Sequence, residues 1–106
     1  MLKIYGEMLV MLRDVRPLIE GLERRDVALA DQMRRAAQSV VLNAAEGCYS
    51  RGRNSGARFQ SSLASMRETL ACIEVGSAFG YFAMPDSAVL DRIDKIMATL
   101  YCLVRG

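Results

Sequence analysis

Apolar side chains recur along most of the chain at the three-and-four spacing of a helix face. Nowhere do they alternate with period two over the length of a strand. The stretch from Asp31 to Glu68 organises the rest. Leu29, Met33, Ala36, Ala37, Val40 and Ala44 mark one face of its first helix, while Gln32, Arg35, Ser39, Asn43 and Glu46 form a second, wholly polar row. Asp26 is placed to cap this helix by accepting from free amides of the first turn. Gly47, which can enter the left-handed C′ conformation without steric cost, predicts its end.

Before this helix, Leu2, Tyr5, Met8, Leu9, Leu12, Val15, Leu18, Ile19 and Leu22 form a stripe that crosses Pro17 in phase. A proline inside a helix removes one backbone donor and crowds the preceding turn, at a cost of about 3 kcal/mol. Either the helix kinks at Pro17 or a second short helix opens there; the unbroken phase favours one kinked helix. After Gly47, the segment to Gly56 is rich in turn formers and has no apolar period, which predicts the one long loop. A third helix is expected from Asn54 or Ser55 to about Phe79, with Phe59, Leu63, Met66, Leu70, Ile73 and Ser77 facing inward. Ser61, Ser62, Ala64 and Ser65 are small enough for another helix to approach closely. Gly80 to Asp86 reads as a turn, and Pro85 suits the first position of a fourth helix. That helix turns Val89 or Leu90, Ile93, Ile96, Met97, Leu100 and Leu103 inward, with Arg105 favourable beside its last carbonyls. The expected architecture is all-α: one antiparallel up-down four-helix bundle over residues 1–106.

Composition adds a second expectation. A chain of 106 residues buries about two-thirds of its unfolded surface. Yet 52% of it is hydrophobic, above the roughly 45–50% of ordinary soluble domains. Alanine and methionine supply part of the excess; the remainder points to apolar surface covered by a second copy, hence a homo-oligomer. No apolar run reaches the ~18 residues of a membrane span, and Lys3 and Glu7 interrupt the first ten residues, unlike a secretory signal. Cys48, Cys72 and Cys102 are odd in number, far apart and in no Cys-x-x-Cys pair. With no histidine in the chain they make no standard zinc site. Reduced thiols, a cytoplasmic location and no cofactor are expected.

Charge is uneven. From Arg34 to Arg67 there are six arginines and one acid, Glu46, a net +5 against +2 for the whole chain, so the remainder carries −3. Arg34, Arg35, Arg51, Arg53 and Arg58 are therefore candidate nucleic-acid-binding residues. Arginine offers forked donors suited to phosphate, and Gly52 lets a backbone approach. Tyr49 can stack on an unpaired base. Recognition of RNA or DNA by such a cluster would follow shape and charge. Alternatively, the arginines pair with acids of a neighbouring subunit or protein partner, such as Asp91 and Asp94 on another copy.

The polar row on the second helix, Gln32, Ser39, Asn43 and Glu46 with Arg35, reads as structural: a solvated face, or a subunit interface in which each polar group must find a partner. A sharper reading makes Glu46 a general base or Asn43 a ligand anchor, but a lone carboxylate without a partner acid or metal is no active site. Gly47-Cys48-Tyr49-Ser50-Arg51-Gly52 lacks the Gly-Lys-Ser/Thr ending of a phosphate-binding loop. Cys48 sits near a helix C-terminus, whose dipole opposes a thiolate. Cys72 and Cys102 read as small core residues, and Met8, Met11, Met33, Met66 and Met97 as core filling. No enzyme is expected.

Gln32-Met33-Arg34-Arg35-Ala36-Ala37-Gln38-Ser39, followed by Asn43-Ala44-Ala45-Glu46-Gly47, resembles the Q-L-R-R-A-A-x-S-(I/V)-x-x-N-(I/L)-A-E-G motif of the bacterial four helix bundle protein family. That family includes proteins encoded by intervening sequences of large-subunit ribosomal RNA genes. Arg51-Gly52-Arg53, Ser65-Met66-Arg67-Glu68 and Gly80-Tyr81 fall where the family has related residues, while Tyr49 and Ser65 stand where glycine is usual. The resemblance implies an up-down bundle and a ring-like homo-oligomer, a pentamer. It also implies a distant likeness to the accessory protein of diversity-generating retroelements, whose basic bundle binds nucleic acid and a reverse transcriptase. It brings no catalytic residues.

Overall fold

A computed structural model describes residues 2–106. It contains four α-helices: α1 (Lys3–Leu22), α2 (Val27–Tyr49), α3 (Arg53–Ala78) and α4 (Ser87–Arg105). No strand occurs among the described residues. Each helix packs on its sequence neighbour and α1 closes against α4, so the four run up and down around one core. The pairing of α2 with α3 is the most extensive.

The core follows the periodicity. All six apolar positions expected of α2 are buried. On α1 the buried line is Ile4, Met8, Met11, Val15, Ile19 and Leu22, with Leu2, Tyr5, Leu9, Leu12 and Leu18 partly buried beside it. The stripe is thus wider than expected, its centre running through Ile4 and Met11. Met8, Met11, Met33 and Met66 have no exposed surface, as flexible side chains that fill an irregular interior. Phe59, Leu63, Met66 and Ile73 come from α3, and Ile93, Ile96 and Leu100 from α4.

α1 continues through Pro17 as the single helix expected; Pro17 is exposed, so the carbonyl it leaves unpaired can face water. Helix ends depart from expectation in three places. Gly47 does not end α2, which runs on to Tyr49. The expected long loop from Gly47 to Gly56 is consequently only the connection Ser50-Arg51-Gly52. α3 begins at Arg53, before Asn54 and Ser55, with Gly52 in the capping position. Pro85 precedes α4 instead of opening it: the cap is Asp86, whose Oδ1 accepts from the Val89 amide at 3.1 Å. The Asp26 cap is present as expected, accepting from the Leu29 amide at 3.0 Å. At the far end of α3, the Gly80 amide donates to Ser77 O and the Tyr81 amide to Gly76 O, each at 2.9 Å, the paired closure of a Schellman turn.

Cross-links between helices are sparse and specific. Arg92 of α4 donates to Asp14 at 2.9 Å and to Glu7 at 3.0 Å, both on α1. These bonds, first Asp14 and then Glu7, raise the guanidinium pKa further above its already high ordinary value. Tyr81 donates to Asp26 Oδ2 at 3.4 Å, tying the α3–α4 connection to the start of α2.

Candidate nucleic-acid interface

Gly47 lies inside the last turns of α2, buried, because the ring of Phe59 from α3 occupies the space a side chain would need. A Cβ at position 47 would stand 2.7 Å from Phe59 Cε1. Ser55 donates to Gly47 O at 2.9 Å, a second tie between the ends of the two helices. The chain reverses through Gly52, at φ +60°, a left-handed conformation that favours glycine. Ser50 folds back on α2, its hydroxyl donating to Glu46 O at 2.9 Å. This tight reversal puts Arg51 and Arg53 on either side of Gly52, and both are exposed. Arg58, about one and a half turns into α3, is exposed as well. None of the three makes an ion pair or side-chain hydrogen bond among the described residues.

The up-down topology brings further cations to this end. α1 starts here and α4 ends here, so exposed Lys3 and Arg105 join the three arginines. Arg105 lies over the Tyr101 ring, 5.7 Å from its centroid. Contact between the ends of α3 and α4 is direct: a Cβ at Gly56 would meet Val104 O at 3.6 Å. Beneath the connection lies an open depression of about 410 Å³, lined by Leu2, Gly47, Cys48, Ser50, Ser55, Phe59 and Leu103. Sequence reading missed Lys3 and Arg105 because their proximity to residues 51–58 follows only from the helix directions. Tyr49, the last residue of α2, stands 81% exposed at the same end.

The other two candidate arginines do not belong to this cluster. Arg34 is fifteen residues from Tyr49 along α2, which places it about 22 Å away. It is engaged with acids, Asp31 at 2.9 Å and Glu23 at 3.2 Å, and bridges α2 to the residue that ends α1. Arg35 is exposed but equally remote from the connection. The five candidate arginines therefore do not form one cluster: a continuous helix separates Arg34 and Arg35 from the connection.

The polar row also divides. Gln32, Arg35 and Glu46 face solvent, whereas Ser39 and Asn43 turn into the α2–α3 seam. Asn43 Nδ2 donates to Ser39 Oγ at 2.8 Å and to Ser39 O at 3.0 Å. Ser65 of α3 donates across the seam to Ser39 Oγ at 2.8 Å, and Thr69 donates to Ser65 O at 2.8 Å. Ser62, fully buried, donates to Val40 O at 2.6 Å. Small side chains let the helices close up, and each hydroxyl finds a hydrogen-bond partner; no buried side-chain N or O among the described residues lacks one. Ser62 and Ser65 were legible as small residues, but not as the partners of Val40 and Ser39. Glu46 is exposed and outside every ion pair, and no group of three or more Cys, Asp or Glu among the described residues could hold a metal.

A second kind of surface runs along α2 and α3. Leu42 is 65% exposed, and it shares a heptad line with Arg35 and Tyr49. On α3, Ala57, Ser61, Ala64, Glu68, Ala71, Val75 and Ala78 are all exposed and alternate at four and three residues, the spacing of a coiled-coil seam.

A family model described as the 23S rRNA-intervening sequence protein matches residues 1–102. Comparisons with curated proteins and with solved structures return no match. No helix among the described residues is long and apolar enough to cross a membrane.

Proposed function

This chain belongs to the 23S rRNA-intervening sequence protein family, and from that premise we propose that it is a non-enzymatic, nucleic-acid-associated accessory protein that acts as a homo-oligomer. The observation that carries the reading is the gathering of Arg51, Arg53 and Arg58, exposed and without acid partners among the described residues, with Lys3 and Arg105 at one end of the bundle. Cations left unneutralised by their own chain attract phosphate and release its counterions on binding. The family's description, which names a ribosomal RNA intervening sequence, gives that attraction an RNA context. Phosphate contacts of this kind position a nucleic acid without reading its bases.

A salt titration of binding to a structured RNA and to duplex DNA tests the reading. Replacing Arg51, Arg53 and Arg58 by alanine is expected to flatten the log–log slope by roughly 0.9 per lost contact on duplex and about 0.7 on single strands. No binding by the wild type at low salt overturns it.

A second reading has its own support: a protein-interaction oligomer, a ring such as a pentamer, in which the exposed heptad lines of α2 and α3 are covered by neighbouring copies. There the arginines meet exposed acids such as Asp91 and Asp94 of the next subunit. Both readings expect an assembly that persists by light scattering across a salt series, so the nucleic-acid titration separates them: in the second, the wild type binds no oligonucleotide even at low salt. Leu42→Glu is expected to reduce the assembly to smaller species.

A further inference from the structure

We propose that Tyr49 is a stacking platform for an unpaired nucleobase, so that the basic end of the bundle takes single-stranded RNA or DNA in preference to duplex. The inference rests on the nucleic-acid reading above and names its ligand class. Tyr49 ends α2 with its ring 81% exposed, no ring partner, and a hydroxyl in no hydrogen bond among the described residues. The molecule does nothing visible with this side chain, although an exposed aromatic ring is among its most costly surfaces to leave in water. The residues around it match what single strands require. Arg51 and Arg53 follow within four residues, exposed and unpaired, and between them Gly52 has open space where a Cβ would be. A strand backbone can approach there while its phosphates meet the two guanidinium groups. Single-strand sites in general combine such a cationic track with aromatic rings on which bases stack.

A duplex fits less well. Its bases are stacked on one another and expose only edges at the floor of the grooves. Reading them takes a helix or ribbon laid lengthwise, whereas these arginines converge on a blunt three-residue reversal. A ring standing on that reversal meets no base face in a duplex. At the same end of the bundle Tyr101, half exposed, carries Arg105 over its ring, a second aromatic–arginine pair.

The test is fluorescence anisotropy on the full chain at low salt with three probes: an unstructured oligouridylate, an oligothymidylate of the same length, and a duplex long enough that its two open end faces are a negligible share of its sites. Tyr49→Ala is expected to weaken both single-strand probes by about 5- to 140-fold, the loss of one base stack, and to leave duplex binding unchanged. Tyr49→Phe, which keeps the ring, retains single-strand affinity. The salt slope of Tyr49→Ala stays at the wild-type value, while Arg51→Ala with Arg53→Ala flattens it. The ratio of the uridylate to the thymidylate affinity assigns the strand to RNA or DNA. Equal losses on single strand and duplex overturn the proposal, as does an unchanged affinity for all three probes. A change of oligomeric state on Tyr49→Ala, seen by light scattering, overturns it too, since the ring then belongs to a subunit interface. If the wild type binds no probe, the nucleic-acid reading itself falls; if binding is arginine-dependent but indifferent to Tyr49, only this inference does.

Discussion

Replacing Gly47 by alanine sets two well-defined terms against each other. In the interior of a helix, glycine is worse than alanine by about 0.5–1 kcal/mol, and Gly47 is helical with an ordinary negative φ. On propensity alone the substitution stabilises. Against it stands Phe59, 6% exposed, whose Cε1, Cδ1 and Cζ would lie 2.7, 2.9 and 3.0 Å from the new methyl group. A buried ring cannot yield that distance without leaving its rotamer or spreading α2 from α3, and overpacking of this kind costs about 1–3 kcal/mol. The clash wins. Gly47→Ala is expected to destabilise by about 0.5–2 kcal/mol, and on a Phe59→Leu background, where the ring is gone, to stabilise by about 0.5–1 kcal/mol. Urea unfolding of the four proteins at one fixed concentration reads the cycle. With urea m-values of about 1–3 kcal/mol/M, each kcal/mol moves the midpoint by roughly 0.3–1 M. The sign change is the test. If Gly47→Ala destabilises equally on both backgrounds, the cost lies in the backbone, as it would for a left-handed C′ glycine, and the Phe59 argument is refuted.

Three further outcomes follow from the geometry. Asp26→Ala removes the α2 cap and the acceptor of Tyr81, and should cost about 1 kcal/mol, lowering the thermal midpoint by roughly 4–8 °C, whereas Asp26→Asn keeps the cap and most of the stability. Arg92→Met leaves Asp14 and Glu7 without their shared cation, so calorimetry should show a lower midpoint that Asp14→Asn with Glu7→Gln restores in part. Burial, and secondly the Glu68 carboxylate, push the Cys72 thiol up from its ordinary value. The native state therefore holds a proton that the unfolded chain gives up sooner, and this contribution to stability is whole below the unfolded thiol's pKa and is lost as pH rises from there through the raised native value. Cys72 is buried as expected but Cys102, also expected in the core, is exposed, so alkylation at pH 8 with peptide mapping should label Cys102 readily and Cys72 only after denaturation.

Much of the bundle was legible because helix formation and burial are written in one periodic signal. Six of the buried positions of α2 and the Asp26 cap could be read directly from the local pattern, while Ala30 and Val41, buried beside them, widen the face beyond it. What escaped depends on a partner far along the chain. Gly47 has the composition of a helix stop, and only Phe59, twelve residues later and folded back, makes it a packing site inside the helix. Once α2 runs to Tyr49, the supposed loop contracts to three residues. The same correction moves Arg34 away from Arg51: a signal that looked like one basic segment is two, because a rigid helix converts fifteen residues into about 22 Å.

That separation changes how the charge of the molecule should be weighed. The excess of arginine from position 34 to 67 is not one field, since Arg34 spends its charge on Asp31 and Glu23. The molecule measures 43 × 25 × 19 Å, with its ends well beyond a Debye length of about 8 Å apart in physiological salt. A ligand at the α2–α3 reversal therefore responds to Arg51, Arg53, Arg58, Arg105 and Lys3, and little to the acids around the opposite end. A set drawn from three separate parts of the chain makes a better-defined target than the continuous run did. Arg105→Ala, remote in sequence from residues 51–58, should then weaken nucleic-acid binding and flatten its salt slope in the manner of Arg58→Ala. Arg34→Ala should leave the slope at its wild-type value and act, if at all, on stability. Anisotropy titrations of the three variants on one oligonucleotide decide it: a slope that falls with Arg34 and ignores Arg105 would mean that the ligand follows the run of sequence and not the end of the bundle.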